Sequence, residues 1–114
     1  MAIRTEKLGE VFIVVPEGML KGDKETDQLD YELRRLVQGG QNKILLDLRN
    51  TTHLNSIAIG ILAGIHTGAA NRGLHFAVCN LERRIQNVLT ILKLVNVLHV
   101  YDTREDAIAA FARM

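Results

Sequence analysis

Lys43 to Gly60 reads KILLDLRNTTHLNSIAIG and holds the chain's most concentrated apolar run, followed by a polar break and a helix-like opening. Ile44, Leu45, Leu46 and Leu48 are interrupted only by Asp47, the pattern of a strand covered on both faces in an α/β sheet. That strand is expected at the centre of the sheet. The segment Arg49 to Thr52 favours a turn, because short polar side chains such as Asn50 and Thr51 can hydrogen-bond local backbone. Either Asn55 or Ser56 can then cap the first free amides of a helix running to about Arg72, which sets Ser56 at the helix mouth.

Upstream, Ile3 to Leu8 and the β-branched run Val11 to Val15 flank Gly9-Glu10, which predicts a hairpin. Pro16-Glu17-Gly18 ends it. After Gly22-Asp23 the period changes: Leu29, Leu33 and Leu36 fall at helical spacing, with acidic residues early, Arg34 and Arg35 late, and Gly39-Gly40 as the stop. Downstream of the central segment, Gly73 precedes a strand from Leu74 to Val78 with Cys79 at its end. Asn80 can cap a third helix whose apolar stripe is Leu81, Ile85, Val88, Leu89 and Leu92. Val97 to Tyr101 reads as a short strand. Thr103 to Asp106 approximates a capping box for a last helix with Ala107, Ile108 and Phe111 on its buried edge.

Strands alternating with helices imply a mostly parallel sheet with right-handed crossovers, to which the opening hairpin adds an antiparallel edge. The expected fold is α/β: a mixed, mostly parallel sheet of four to five strands packed with about four helices. The 114 residues suffice for one domain spanning 1–114, and no repeat or linker divides them. Aromatic residues make up only 4% of the chain, so aliphatic side chains must build the core.

Fourteen basic residues against thirteen acidic ones give no global field for nucleic acid or an anionic membrane, and neither partner is expected. No apolar run approaches the roughly 20 residues needed to span a bilayer. The N-terminal MAIRTEKLGE lacks the apolar region of a secretory signal, and Cys79 is the single cysteine, so a cytoplasmic protein is expected. His53, His66, His75 and His99 lack the spacing of helix-borne metal ligands, and neither a metal nor a cofactor is expected. Gly60, Gly64 and Gly68 recur without a phosphate-binding motif and read as packing positions. Ser56, His53 and Asp47 can be imagined as a triad, but Ser56 lacks the flanking glycines of a nucleophile elbow.

The helix from Ser56 carries two apolar stripes at about 100° per residue. Ala58, Leu62, Ile65 and Ala69 form one, with Ile57 and Ile61 beside it; Ile59, Ala63, His66 and Ala70 form the other. One stripe must face the sheet. The other is either covered by a neighbouring helix or left as an apolar patch for a partner, with Ser56 at its edge.

The order of elements together with LLDLRNTTHLNSIAIGIL resembles the STAS domain family, the fold of bacterial anti-sigma factor antagonists. The family pattern is a strand ending in Asp-Leu, a turn, then Asp-Ser-Ser/Thr-Gly-Leu-Gly opening a helix. The matching residues are Asp47-Leu48 and Asn55-Ser56-Ile57-Ala58-Ile59-Gly60, so Asn55, Ile57 and Ala58 depart from that pattern. The Gly73-Leu74 strand entry, KLVNVLHVYDT and the closing Glu-Asp-Ala-Ile helix also have counterparts. The resemblance implies a non-enzymatic regulator of transcription whose partner is an anti-sigma factor that is also a serine kinase. It implies phosphorylation at Ser56, and a partner-binding edge of Asn55, Ser56, Ile59, Gly60 and Ala63. A non-phosphorylated subunit of a larger assembly, such as a stress-sensing scaffold or transporter complex, is the alternative. A homo-oligomer is compatible with either, and small-molecule binding or hydrolysis is the third class considered.

Overall fold

The computed structural model describes residues 3–91 and 98–114. Its strands and helices follow in chain order as β1 (Ile3–Leu8), β2 (Val11–Pro16), β3 (Gly18–Leu20), α1 (Lys24–Gln38), β4 (Lys43–Asp47), β5 (Thr51–Leu54), α2 (Ser56–Asn71), β6 (His75–Cys79), α3 (Arg83–Ile91), β7 (Val100–Tyr101) and α4 (Arg104–Ala112). The main sheet has the order β1-β2-β4-β6-β7. β1 is antiparallel to β2, and the pairings β2 with β4, β4 with β6 and β6 with β7 are parallel. The described residues form the expected mixed sheet with an antiparallel N-terminal edge, packed with four helices.

β4 is central, and all five of its residues are buried, as a run covered on both sides requires. Ile44 and Leu46 point into a large core with Val14, Leu33, Leu62 and Phe76, which α1, α2 and α3 close. Leu45 points the other way, to a smaller core with Ile13, Ala77 and Phe111 beneath α4. The alternation of a strand thus sends successive residues to helix layers on opposite faces.

Three sequence expectations are corrected. Thr51 to Leu54 leaves the turn at once and pairs in parallel with Gly18–Leu20, forming a second, two-stranded sheet. Thr51 and Thr52 are β-branched and suit a strand once a neighbouring backbone is available. Asn80 does not cap α3, because its amide is committed to Asp47, and the helix starts at Arg83. The fourth strand of the expected series begins at His75 rather than Leu74, since Gly73 takes a left-handed turn with φ +71° ahead of it. Of the expected α3 stripe, Ile85 and Leu89 are buried, and Leu92 lies outside the described residues, as does Val97 of the last strand.

Candidate functional site

The site is built where the central strand runs out. Asp47 ends β4 with a fully buried side chain, 0% exposed, on the face toward α4. A carboxylate in that position needs several donors, and it has them. Asn80 Nδ2 donates at 2.9 Å, Arg49 donates from its backbone N at 3.0 Å and from Nε at 2.9 Å, and Arg104 Nε donates at 3.0 Å. Arg104 also pairs with Glu6 of β1. Burial by itself would raise the Asp47 pKa; the hydrogen bonds from Asn80, Arg49 and Arg104 outweigh it and hold the carboxyl below its ordinary range. His53 is not among these donors, so the imagined triad of Asp47, His53 and Ser56 is not assembled.

The Asp47 cluster fixes the following turn. Leu48 N donates to Cys79 O at 3.0 Å and Thr51 N to Leu48 O at 3.0 Å, which aims β5 along β3. Asn55 N then donates to Leu20 O at 3.1 Å, pinning the residue before α2 to the small sheet. Asn55 is the N-cap: its backbone is extended, and its Oδ1 accepts from Ala58 N at 3.0 Å. Of the two capping candidates, Asn55 therefore takes the role and Ser56 is the first helical residue. Ser56 is exposed, and among the described residues no hydrogen bond engages its hydroxyl.

Ala58, Leu62, Ile65 and Ala69 are all buried, so that stripe is the one that faces the sheet. Ile59, taken as part of a partner-binding edge, is only 3% exposed and lies in the larger core with Ala58 and Leu62. It cannot be touched by a partner without unpacking that core. Gly60 is exposed and Ala63 half-buried, so both keep a place at the surface. Ile57 is the exposed isoleucine, at 57%, and Met19 on β3 is 45% exposed. Ile57 lies over Gly22, where an added Cβ would sit 2.8 Å from its Cδ1, and Gly22 holds φ +85°. Helical spacing sets Ile57 beside the Ala58 stripe without saying whether it is covered. The signal that could have separated it is the Gly22-Asp23 break, which leaves a side-chain-free bed for one residue of the helix mouth.

Beside β5 a shallow cleft of about 190 Å³ runs between Thr52, His53 and Leu54 and the start of α3 at Glu82, Arg84 and Ile85. Among the described residues no group of three or more His, Cys, Asp or Glu stands close enough to hold a metal ion. Cys79 is buried and its thiol is pushed up to about 12 by burial first and by Asp47 second, the state of a packing residue rather than a nucleophile. Among the described residues, no helix is long and apolar enough to cross a membrane.

The STAS domain model matches residues 2–107 of this chain. The chain belongs to the STAS domain family. A Thermotoga neapolitana protein named "Putative anti-sigma factor antagonist TM1081 homolog" is 32% identical over 99 residues, covering 87% of this STAS chain and 88% of that protein. The Bacillus cell fate determinant SpoIIAA in its phosphorylated form superposes with a TM-score of 0.75 at 17% identity, over 96% of this chain and 99% of that one. The anti-sigma factor antagonist SpoIIAA in its unphosphorylated form gives a TM-score of 0.81 at 16% identity, over 99% and 98%. At these identities the two structures establish the shared STAS fold, while the Thermotoga relative groups the chain with the anti-sigma factor antagonists.

Proposed function

We propose that this STAS protein is an anti-sigma factor antagonist that binds a kinase-type anti-sigma factor around Ser56 and is released when Ser56 is phosphorylated. The observation that carries the reading is the division of labour at the helix mouth: Asn55 does the capping, which leaves an exposed serine hydroxyl available for modification. A phosphate there adds about 1.5 to 2 negative charges at a helix N-terminus, where the dipole favours them. The first turn of α2 contains no acidic residue to oppose it. The fold is therefore retained, while a partner seated on Ser56, Ile57 and Gly60 meets a strongly hydrated dianion. On this reading the protein works in a bacterial cytoplasm as a regulator of transcription and carries out no reaction itself.

The alternative, an unphosphorylated subunit of a larger assembly, is favoured by Asn55 and Ile57 standing where the family pattern has an aspartate and a second hydroxyl residue. Incubation with the purified anti-sigma kinase and ATP separates the two. One phosphoryl mass on Ser56, and partner binding weakened about tenfold or more by Ser56→Asp, are expected. No mass gain, with binding indifferent to Ser56→Asp, rejects the switch and supports the assembly subunit.

A further inference from the structure

We propose that the outer edge of β1 is a self-association surface, on which a second copy of the chain adds its own β1 antiparallel and centred on Thr5. β1 ends the sheet order, and among the described residues only β2 pairs with it. Residues 4–8 are all exposed, so a row of backbone donors and acceptors is open to another strand.

The charge order of Ile3-Arg4-Thr5-Glu6-Lys7 identifies the occupant. In an antiparallel pair centred on Thr5, Arg4 faces Glu6 of the second copy, and the two-fold axis repeats that contact. Thr5 then faces Thr5, and Ile3 faces Lys7. Centring the pair on Arg4 or on Glu6 instead sets Arg4 against Arg4 or Glu6 against Glu6, like charges directly opposite, and is disfavoured. Edge charges commonly blunt strand pairing. Here they oppose a slipped register and permit one arrangement with an identical strand.

The layer beside the edge is consistent with that register. Thr5 pairs with Val14, whose side chain faces the α1 side of the sheet, and Ile3 and Thr5 line a cleft of about 610 Å³ against α1. Lys7 of the second copy falls beside Ile3 on that face, where Asp27 and Glu32 are balanced by Lys24 and Arg35, so the wall neither attracts nor repels it strongly. Tyr31, 67% exposed at the same cleft, gains cover. Arg4 is engaged with Glu17 at 3.1 Å and Glu6 with Arg104, but the Arg4 side chain is highly exposed and that of Glu6 half-exposed, so Arg4 exchanges its partner readily and the Glu6 carboxylate accepts a second cation beside Arg104. A pairing this short falls below the size of a standard stable interface, so the dimer is reversible and concentration-dependent. Nothing in it depends on the state of Ser56.

Sedimentation equilibrium of the full chain from about 10 µM to about 1 mM tests the proposal. The mass is expected to rise from 12.7 kDa toward twice that value. Arg4→Glu and Glu6→Arg should each weaken association by about tenfold or more, since each sets like charges opposite each other. An equimolar mixture of the two should regain it as a heterodimer visible by native mass spectrometry, because both cross-strand pairs become complementary. Should Glu6→Arg fail to fold for loss of its Arg104 contact, Arg4→Glu and Tyr31→Arg, both at exposed positions, must still weaken the dimer. A mass of 12.7 kDa throughout leaves the edge to another partner and overturns the proposal. So does a dimer that Arg4→Glu leaves intact, or a mixture associating no better than its components.

Discussion

Asp47 is the residue on which the helix mouth depends, although it lies on the opposite face of the sheet from α2. Asp47→Asn keeps the shape but leaves Arg104, with a side chain only 19% exposed, facing a neutral amide. Removing one partner of a buried charge cluster costs about 3 to 5 kcal/mol, and a loss of that order is expected in urea unfolding. Because the folded-state pKa lies below the unfolded one, the carboxylate's contribution is present above the unfolded value near 4. It is lost as pH falls through the lower, folded value. Wild-type stability should therefore drop on acidification below about pH 4, and Asp47→Asn should flatten that drop; an unchanged acid profile in the variant would remove Asp47 as its source. The same scale separates Asn55 from Ser56. Asn55→Ala loses the cap and should cost about 0.5 to 2 kcal/mol, whereas Ser56→Ala should stay within about 0.5 kcal/mol. Equal losses in thermal melts would return the capping role to the serine and count against its availability for modification.

At the scale of elements, the junction of β3, β5 and α2 turns on Gly22. Its φ of +85° is costly for any residue with a Cβ, and that Cβ would press on Ile57. Gly22→Ala is expected to cost about 1 to 2 kcal/mol, mostly from the backbone. In a double-mutant cycle Ile57→Ala should recover only the smaller steric share; full recovery would locate the whole cost in the side-chain clash. The sequence announced the long elements because each carries its own signal: a solid apolar run for β4, a 3.6-residue stripe for α1, a polar cap for α4. β3 and β5 have three and four residues and exist only because each lends the other its backbone, which no local pattern records. That the core takes Ile59 and leaves Ile57 exposed was hidden for a related reason. Every position from Ile57 to Ile59 is apolar, so periodicity could not say which of them the core would take. The serine's place at the mouth was legible, but the apolar residue exposed beside it needed the three-dimensional position of Gly22.

For the molecule as a whole, the two faces of the sheet are unequally covered. α1, α2 and α3 close the larger core, while α4 stands over the smaller one with Phe111 and Ala107. α4 begins at Arg104, the residue that holds both Asp47 and Glu6, so the helix is tied by charge to the centre and the edge of the sheet. Losing the packing of α4 would expose Ile13, Val15 and Leu45 and loosen the Asp47 donor set in one step. The C-terminal helix should accordingly unfold with the molecule rather than fray from it. Phe111→Ala, which empties a site only 1% exposed, is expected to cost about 3 to 5 kcal/mol. Hydrogen exchange distinguishes the two behaviours, since amides of β4 and β6 should lose as much protection as those of α4 if the unit is cooperative. Protection lost from α4 alone would mean that the helix opens separately, and the turn that aims β5 and Ser56 would then rest on Arg49 and Asn80 without it.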